Sequence, residues 1–228
     1  MSRFAETAQF VSTSLKGEVS AALTRPDDAR AIISYGHGAG AGIHHPFMRA
    51  TSQRLADRGI ATLRYQFPYM EAGRRPPDRP PVLVDAVRAA VDRMTELAGE
   101  LPLFAGGKSM GGRMTSTAAS ENPLAGVLGL IFFGFPLHPP NRPSADRGAH
   151  LADVASPMLF LQGTRDTLAD LTLLEPVVDR LGARATLHVV DGADHSFHVL
   201  KRSGRTDEDV LDELADRTSE WIDDILSE

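Results

Sequence analysis

Six short runs along this chain are apolar at almost every position, at residues 31–35, 60–65, 103–105, 126–133, 157–162 and 185–190. The segments between them have a different rhythm. Val82, Ala86, Ala89, Ala90, Met94 and Leu97 recur at helical spacing before Gly99. Pro46 opens a predicted helix through Phe47, Met48, Leu55 and Ala56, stopped by Gly59. Residues 168–181 read as another helix. A small-residue stretch, Arg113 to Ser120, reads as a helix packed closely on a flat surface. The closing helix is predicted to start near Thr206, with Asp209 in capping-box position and an apolar stripe of Val210, Leu214, Trp221 and Ile225. Strands that are apolar on both faces and alternate with helices specify a largely parallel sheet covered by helices on each side. Residues 1–30 are weakly patterned and fit antiparallel edge strands, with a hairpin around 17–23. No repeats or linkers appear, so residues 1–228 are expected to form a single α/β domain.

The strand at 103–105 runs into Gly106-Gly107-Lys108-Ser109-Met110-Gly111-Gly112, a Gly-x-Ser-x-Gly elbow in which a serine sits on a tight strand-to-helix turn between glycines. A short motif of this kind needs context. The context is that Asp166 follows a later strand, His195 follows the last, and Gly36-His37-Gly38-Ala39-Gly40 follows the first of the parallel set. Ligands of doubly wound sheets bind beyond the carboxyl ends of the strands. The order Ser, Asp, His is the one α/β-hydrolases use. In that scheme Ser109 is the nucleophile, His195 its general base and Asp166 the group that fixes the imidazole. The backbone N–H groups of Met110 and Ala39 (or Gly40, one residue on) would hold the oxyanion. Asp170, one helical turn beyond Asp166, is the competing acid, and Asp166 is preferred because it stands immediately after the strand. His37, Tyr65 and Phe135 are candidates for the pocket wall.

Composition narrows the chemistry further. The chain has 228 residues, a formal charge of −6 and no cysteine, which excludes disulfides and thiolate metal sites and gives no sign of nucleic-acid binding. No apolar run has the eighteen or so residues a membrane helix needs, and the N-terminal residues lack a signal-peptide core. A cytoplasmic protein with no membrane or nucleic-acid partner is expected. His44-His45 and His195-x-x-His198 lack the carboxylate-and-histidine set of a metal site, so no metal and no cofactor are expected. Gly107-Lys108-Ser109 matches the end of a phosphate-binding loop, but Pro102 stands where its first glycine belongs. Gly36 to Ala41 fits a dinucleotide fingerprint, yet the next strand ends in Arg64-Tyr65-Gln66 without the ribose-binding carboxylate. Arg74, Arg75 and Arg79 lie in a loop with five prolines and read as a solvated face, with contact to an anionic substrate as the alternative.

His37-Gly38-Ala39-Gly40, Gly107 to Arg113, Phe135-Pro136-Leu137-His138-Pro139-Pro140, Gly163-Thr164-Arg165-Asp166 and Ala193-Asp194-His195-Ser196 together resemble the small α/β-hydrolases near the dienelactone hydrolases. That group includes the testis-expressed protein thirty branch and a hydrolase-like subunit of a nuclear acetyltransferase complex. The resemblance spans about Ala31 to Trp221. It implies an α/β-hydrolase fold and the Ser109, Asp166, His195 triad. Dienelactone hydrolases themselves use a cysteine nucleophile, so their own reaction is not expected here. The insertions at 66–81 and 135–156 are too short for a cap domain. The expected function is a serine hydrolase cleaving a small-molecule carboxylic ester or thioester through an acyl-enzyme. The alternative is a non-catalytic interaction module on the same fold.

Overall fold

A computed structural model describes residues 4–227. Its core is an eight-stranded sheet in the order β1-β2-β4-β3-β5-β6-β7-β8. The strands are β1 (Glu6–Thr13), β2 (Gly17–Thr24), β3 (Ala31–Gly36), β4 (Ile60–Tyr65), β5 (Leu103–Lys108), β6 (Val127–Phe133), β7 (Met158–Gly163) and β8 (Ala185–Val190). β1 and β2 form the edge hairpin and join β4 antiparallel; from β4 to β8 every pairing is parallel. Each of β3, β4, β5 and β7 is buried at every residue, which explains why these strands read as largely apolar runs.

The helices divide between the two faces. α1 (Pro46–Ala56) and α6 (Asp207–Ser227) cover Ile33, Tyr35, Phe104, Phe133 and Leu161 with Met48, Leu55, Leu214 and Trp221. α3 (Pro80–Ala98), α4 (Met110–Glu121) and α5 (Leu171–Leu181) cover Leu63, Leu130, Phe132 and Phe160 with Val87, Met94, Met114 and Leu174. The capping box predicted for α6 is reciprocal: the Thr206 N–H donates to Asp209 Oδ2 at 2.8 Å, and the Asp209 N–H to Thr206 Oγ1 at 3.1 Å. No helix among the described residues is long and apolar enough to cross a membrane.

Several points differ from the sequence reading. α3 begins at Pro80, two residues before the first periodic position, because proline is tolerated in a first turn whose N–H groups have no helical acceptor. α5 begins at Leu171 rather than 168, since Asp170 is its N-cap and accepts from the Thr172 N–H at 2.9 Å. The two insertions are not plain loops. The first contains the short helix α2 (Pro68–Glu71), and the second a 3-10 segment, Asp146–Asp153, that sinks Leu151 into the core.

Candidate active site

The elbow is built by steric exclusion. A Cβ at Gly107 or at Gly111 would overlap the Gly36 carbonyl oxygen, and one at Gly106 the Ile131 carbonyl oxygen, so only glycine lets α4 turn back this close to β3 and β6. The turn places Ser109 at φ 51°, ψ −114°, a left-handed conformation rare outside glycine that costs on the order of 1–3 kcal/mol. Its N–H donates to the Phe133 carbonyl at 3.1 Å, which ties the strained residue to β6.

Two further strand ends converge on it. The His195 Nε2 accepts from the Ser109 hydroxyl at 2.8 Å, and its Nδ1–H donates to Asp166 Oδ2 at 2.7 Å. The Asp166 carboxylate is buried and receives two more donors. These are the Gln162 amide at 2.6 Å on Oδ2 and the Leu168 N–H at 2.7 Å on Oδ1. Asp170 does not take part. It is exposed, caps α5, and gives its N–H to His138 Nε2 at 2.9 Å. The His195 turn is knotted by Asp194, whose Oδ1 accepts from the N–H groups of Ser196 and His198 at 2.8 and 3.0 Å.

The glycine loop after β3 lies against this group: a Cβ at Gly38 would sit 3.7 Å from that of Ser109. The Gly40 N–H is already engaged, donating to the Tyr69 hydroxyl at 2.9 Å, whereas the Ala39 N–H has no partner among the described residues. Met110 opens α4, where first-turn N–H groups lack helical acceptors. Between the loop and Ser109 runs a groove of about 290 Å³ lined by Ala39, Ala41, Phe47, Met48, Leu168 and His195.

None of the three residues expected on the pocket wall stands there. His37 is wholly buried; its Nδ1–H donates to the Gly38 carbonyl at 2.7 Å and its Nε2 accepts from the Phe67 N–H at 3.1 Å. Burial pushes its pKa down to about 4, so the ring is a neutral brace beneath the glycine loop. Tyr65 packs edge-on to Phe67 at 5.2 Å inside the core. Phe135 packs against Phe132 and Phe160 at 5.4 and 5.8 Å, and its N–H donates to Gln162 Oε1. Arg74 pairs with Asp78, and none of Arg74, Arg75 and Arg79 lines the groove. Arg64 is buried against Glu6 and the Ile43 carbonyl and does not line the groove. The described residues contain no group of three or more acidic or histidine side chains placed to hold a metal.

Sequence reasoning missed the supports. Gln162, the polar end of an otherwise apolar strand, was a usable signal; Tyr69 and Lys108 carried none. The Phe-Pro-Leu-His-Pro-Pro element supplies a further support. His138 donates its N–H to the Leu168 carbonyl at 2.9 Å and accepts from Asp170, pinning the loop that holds Asp166.

A family model described as an alpha/beta hydrolase domain matches residues 29–223, and the chain belongs to that family. Among solved structures it is similar to a dienelactone hydrolase from Anabaena variabilis, with a TM-score of 0.75 and 23% identity over 96% of this chain and 97% of that one. It is also similar to a serine hydrolase without a lid from Xanthomonas campestris, with a TM-score of 0.74 and 20% identity over 95% and 94%. These likenesses establish the fold. Curated sequences from two Mycobacterium tuberculosis strains, named putative phosphoribosyl transferases, are 25% identical over 217 residues. The match takes in 91% of this chain but 44% of theirs, so the chain spans less than half the length of the curated relatives it matches.

Proposed function

We propose that this hydrolase-family protein is a serine hydrolase that cleaves a carboxylic ester or thioester through an acyl-enzyme. The observation that carries the reading is the continuous hydrogen-bonded line from the Ser109 hydroxyl through His195 to Asp166. Nε2 takes the hydroxyl proton as Oγ attacks the substrate carbonyl carbon. Asp166, with Nδ1–H fixed against it, keeps the imidazole in the accepting tautomer and stabilises the imidazolium. The tetrahedral oxyanion lies against the N–H groups of Ala39 and Met110, donors of a kind worth about a hundred- to a thousandfold in rate. Collapse of this intermediate breaks the carbonyl–leaving-group bond, and the imidazolium gives its proton to the departing alcohol or thiol. Water then repeats the cycle on the acyl-serine, releasing the acid and restoring Ser109.

The groove, small and walled by Ala39, Ala41, Phe47, Met48 and Leu168, favours a short acyl group over a long chain. The Phe-Pro-Leu-His-Pro-Pro element supports placing the chain in the testis-expressed protein thirty branch, and the composition supports a cytoplasmic location. The transferase name of the longer relatives does not extend to this chain in our reading. Arg64, the cation near the end of the strand that follows the dinucleotide-like loop, is buried under Glu6. An inert scaffold is disfavoured by the intact hydrogen-bonded line.

The test is labelling with a fluorophosphonate probe, together with turnover of a p-nitrophenyl ester panel from acetate to octanoate. Ser109 should take the label, acetate or butyrate should be the best substrate, and Ser109→Ala should abolish both signals. Absence of label on folded protein, or full turnover by Ser109→Ala, overturns the proposal.

A further inference from the structure

The residue before Ser109 has no part in the acyl transfer written above, yet it occupies the space beneath it. Lys108 ends β5 and is only 9% exposed. Its ammonium donates to the main-chain carbonyl of His195 at 2.5 Å. It also lies 5.1 Å from the centre of the Phe197 ring and 5.7 Å from that of Phe47. These two rings stack on each other, 5.7 Å apart and 13° from parallel. Gly134, just beyond β6, keeps the space for the ammonium open: a Cβ there would sit 2.9 Å from Nζ. The same point is 3.5 Å from Asp166 Oδ2 and 3.6 Å from His195 Cε1. Phe197 stands at φ +64°, a conformation that a bulky residue keeps only where its surroundings impose it.

From this convergence we propose that Lys108 is a positioning residue, its ammonium clamping the His195 turn to the end of β5 so that Nε2 stays within reach of the Ser109 hydroxyl. Its effect on turnover rests on the hydrolase reading above; the clamp itself is a statement about the main chain. A charged donor to a carbonyl is stronger than a neutral one, and a cation on two ring faces holds both aromatic neighbours. The Lys108 ammonium supplies both interactions at once. The charged and titratable groups facing it are Asp166, beyond β7, with Asp194 and His195 beyond β8, and His45 lines the same groove from the start of α1. Gly134, beyond β6, and the Phe47 ring of α1 also border it. Burial lowers the Lys108 pKa to about 8 against the opposing pull of Asp166 and Asp194. The clamp is therefore closed at neutral pH and slackens in mild alkali as the ammonium loses its proton.

Lys108→Met keeps the apolar stem and removes the donor. With p-nitrophenyl acetate it should lower kcat by roughly ten- to a hundredfold, the scale on which small misplacements act, while KM moves by less than about threefold. The wild-type fall in kcat on the alkaline side, centred near pH 8, should be missing from the variant. Hydrogen–deuterium exchange in residues 193–199 should quicken, with β5 and α4 unchanged. A kcat within about twofold of wild type, with the alkaline limb retained, overturns the proposal. If Lys108→Met does not fold, wild-type exchange at about pH 6.5 and 9.5, corrected for intrinsic rate, decides. Protection lost selectively at 193–199 supports the clamp, and unchanged protection there overturns it. If wild-type protein neither turns over esters nor takes the fluorophosphonate, the hydrolase reading falls, and the exchange measurement alone judges the clamp.

Discussion

Asp166→Asn is the sharpest perturbation available, because every acceptor site it disturbs is already occupied by a donor. In the native arrangement Oδ2 receives His195 Nδ1–H and the Gln162 amide, and Oδ1 receives the Leu168 N–H. An asparagine has one acceptor and one donor in the same space. With its NH2 toward Gln162 and His195, it opposes two N–H donors; with its NH2 toward Leu168, it opposes one. Either orientation leaves a buried donor unpaired, at roughly 1–3 kcal/mol. His195 relieves the first conflict by changing tautomer, which puts a proton on Nε2 and removes the base facing Ser109. Loss of the carboxylate–imidazolium hydrogen bond adds about 1.5–3 kcal/mol in the transition state. Together these come to about 3–6 kcal/mol, or roughly a hundred- to ten-thousandfold in kcat. Asp170→Asn is the matched control, since asparagine and aspartate cap helices equally well and Asp170 touches neither His195 nor Ser109. Steady-state hydrolysis of p-nitrophenyl acetate by both variants is the assay, with thermal melts to establish folding. Retention of more than about a third of wild-type kcat by folded Asp166→Asn, or an equal loss in Asp170→Asn, would refute the reasoning.

Three further outcomes are expected. His37 is held neutral with a pKa of about 4, whereas the unfolded chain takes that proton near 6.5. Between those values the unfolded state binds more protons, so stability falls as pH falls. The loss amounts to roughly 2–3 kcal/mol by about pH 4.5, and urea midpoints should decline less steeply with acid in His37→Gln than in wild type. Gly111→Ala drives a Cβ into the Gly36 carbonyl oxygen and should cost more than ~3 kcal/mol, read as a depressed melting temperature or as insoluble protein. Gln162→Leu leaves the buried Phe135 N–H without an acceptor and frees Asp166. Denaturant unfolding should show a loss of about 1–3 kcal/mol, with kcat reduced as well.

Most of the frame was legible in the sequence because parallel strands covered on both faces must be apolar throughout. The central strands, from β3 to β7, meet that requirement at most positions, with Arg64, Lys108 and Gln162 among the polar exceptions. Ser109, Asp166 and His195 were legible for a related reason: each follows a strand, and the carboxyl edge of such a sheet is where strand ends meet. The direction of a side chain at a strand end was not legible. Tyr65 and Phe135 lie at that edge in sequence, yet both turn into the α3–α4 side of the core, where aromatic neighbours bury them more fully than a groove could. His37 sits beside the correct loop and points below it. Periodicity reports burial, and burial does not distinguish a pocket wall from the packing behind it. The short helix α2 and the 3-10 segment stayed hidden because the proline-rich stretches around them read as turns.

The difference between Asp166 and Asp170 lies in which carboxylate meets His195. Both carboxylates follow β7, one helical turn apart in sequence, and either could be imagined reaching His195. What separates them is the use of neighbouring donors. Asp170 spends its Oδ1 on the Thr172 N–H and hydroxyl, the ordinary duty of an N-cap, and its own N–H goes to His138. Asp166 is turned inward, where Gln162 and the Leu168 N–H saturate the carboxylate around the one direction left for His195. The His138 contacts to Leu168 and Asp170 fix where one carboxylate ends and the other begins. The Phe-Pro-Leu-His-Pro-Pro element, the most distinctive motif in the chain, therefore acts on the loop that aims Asp166. Its proline-flanked histidine bonds to backbone on both sides and does not line the groove.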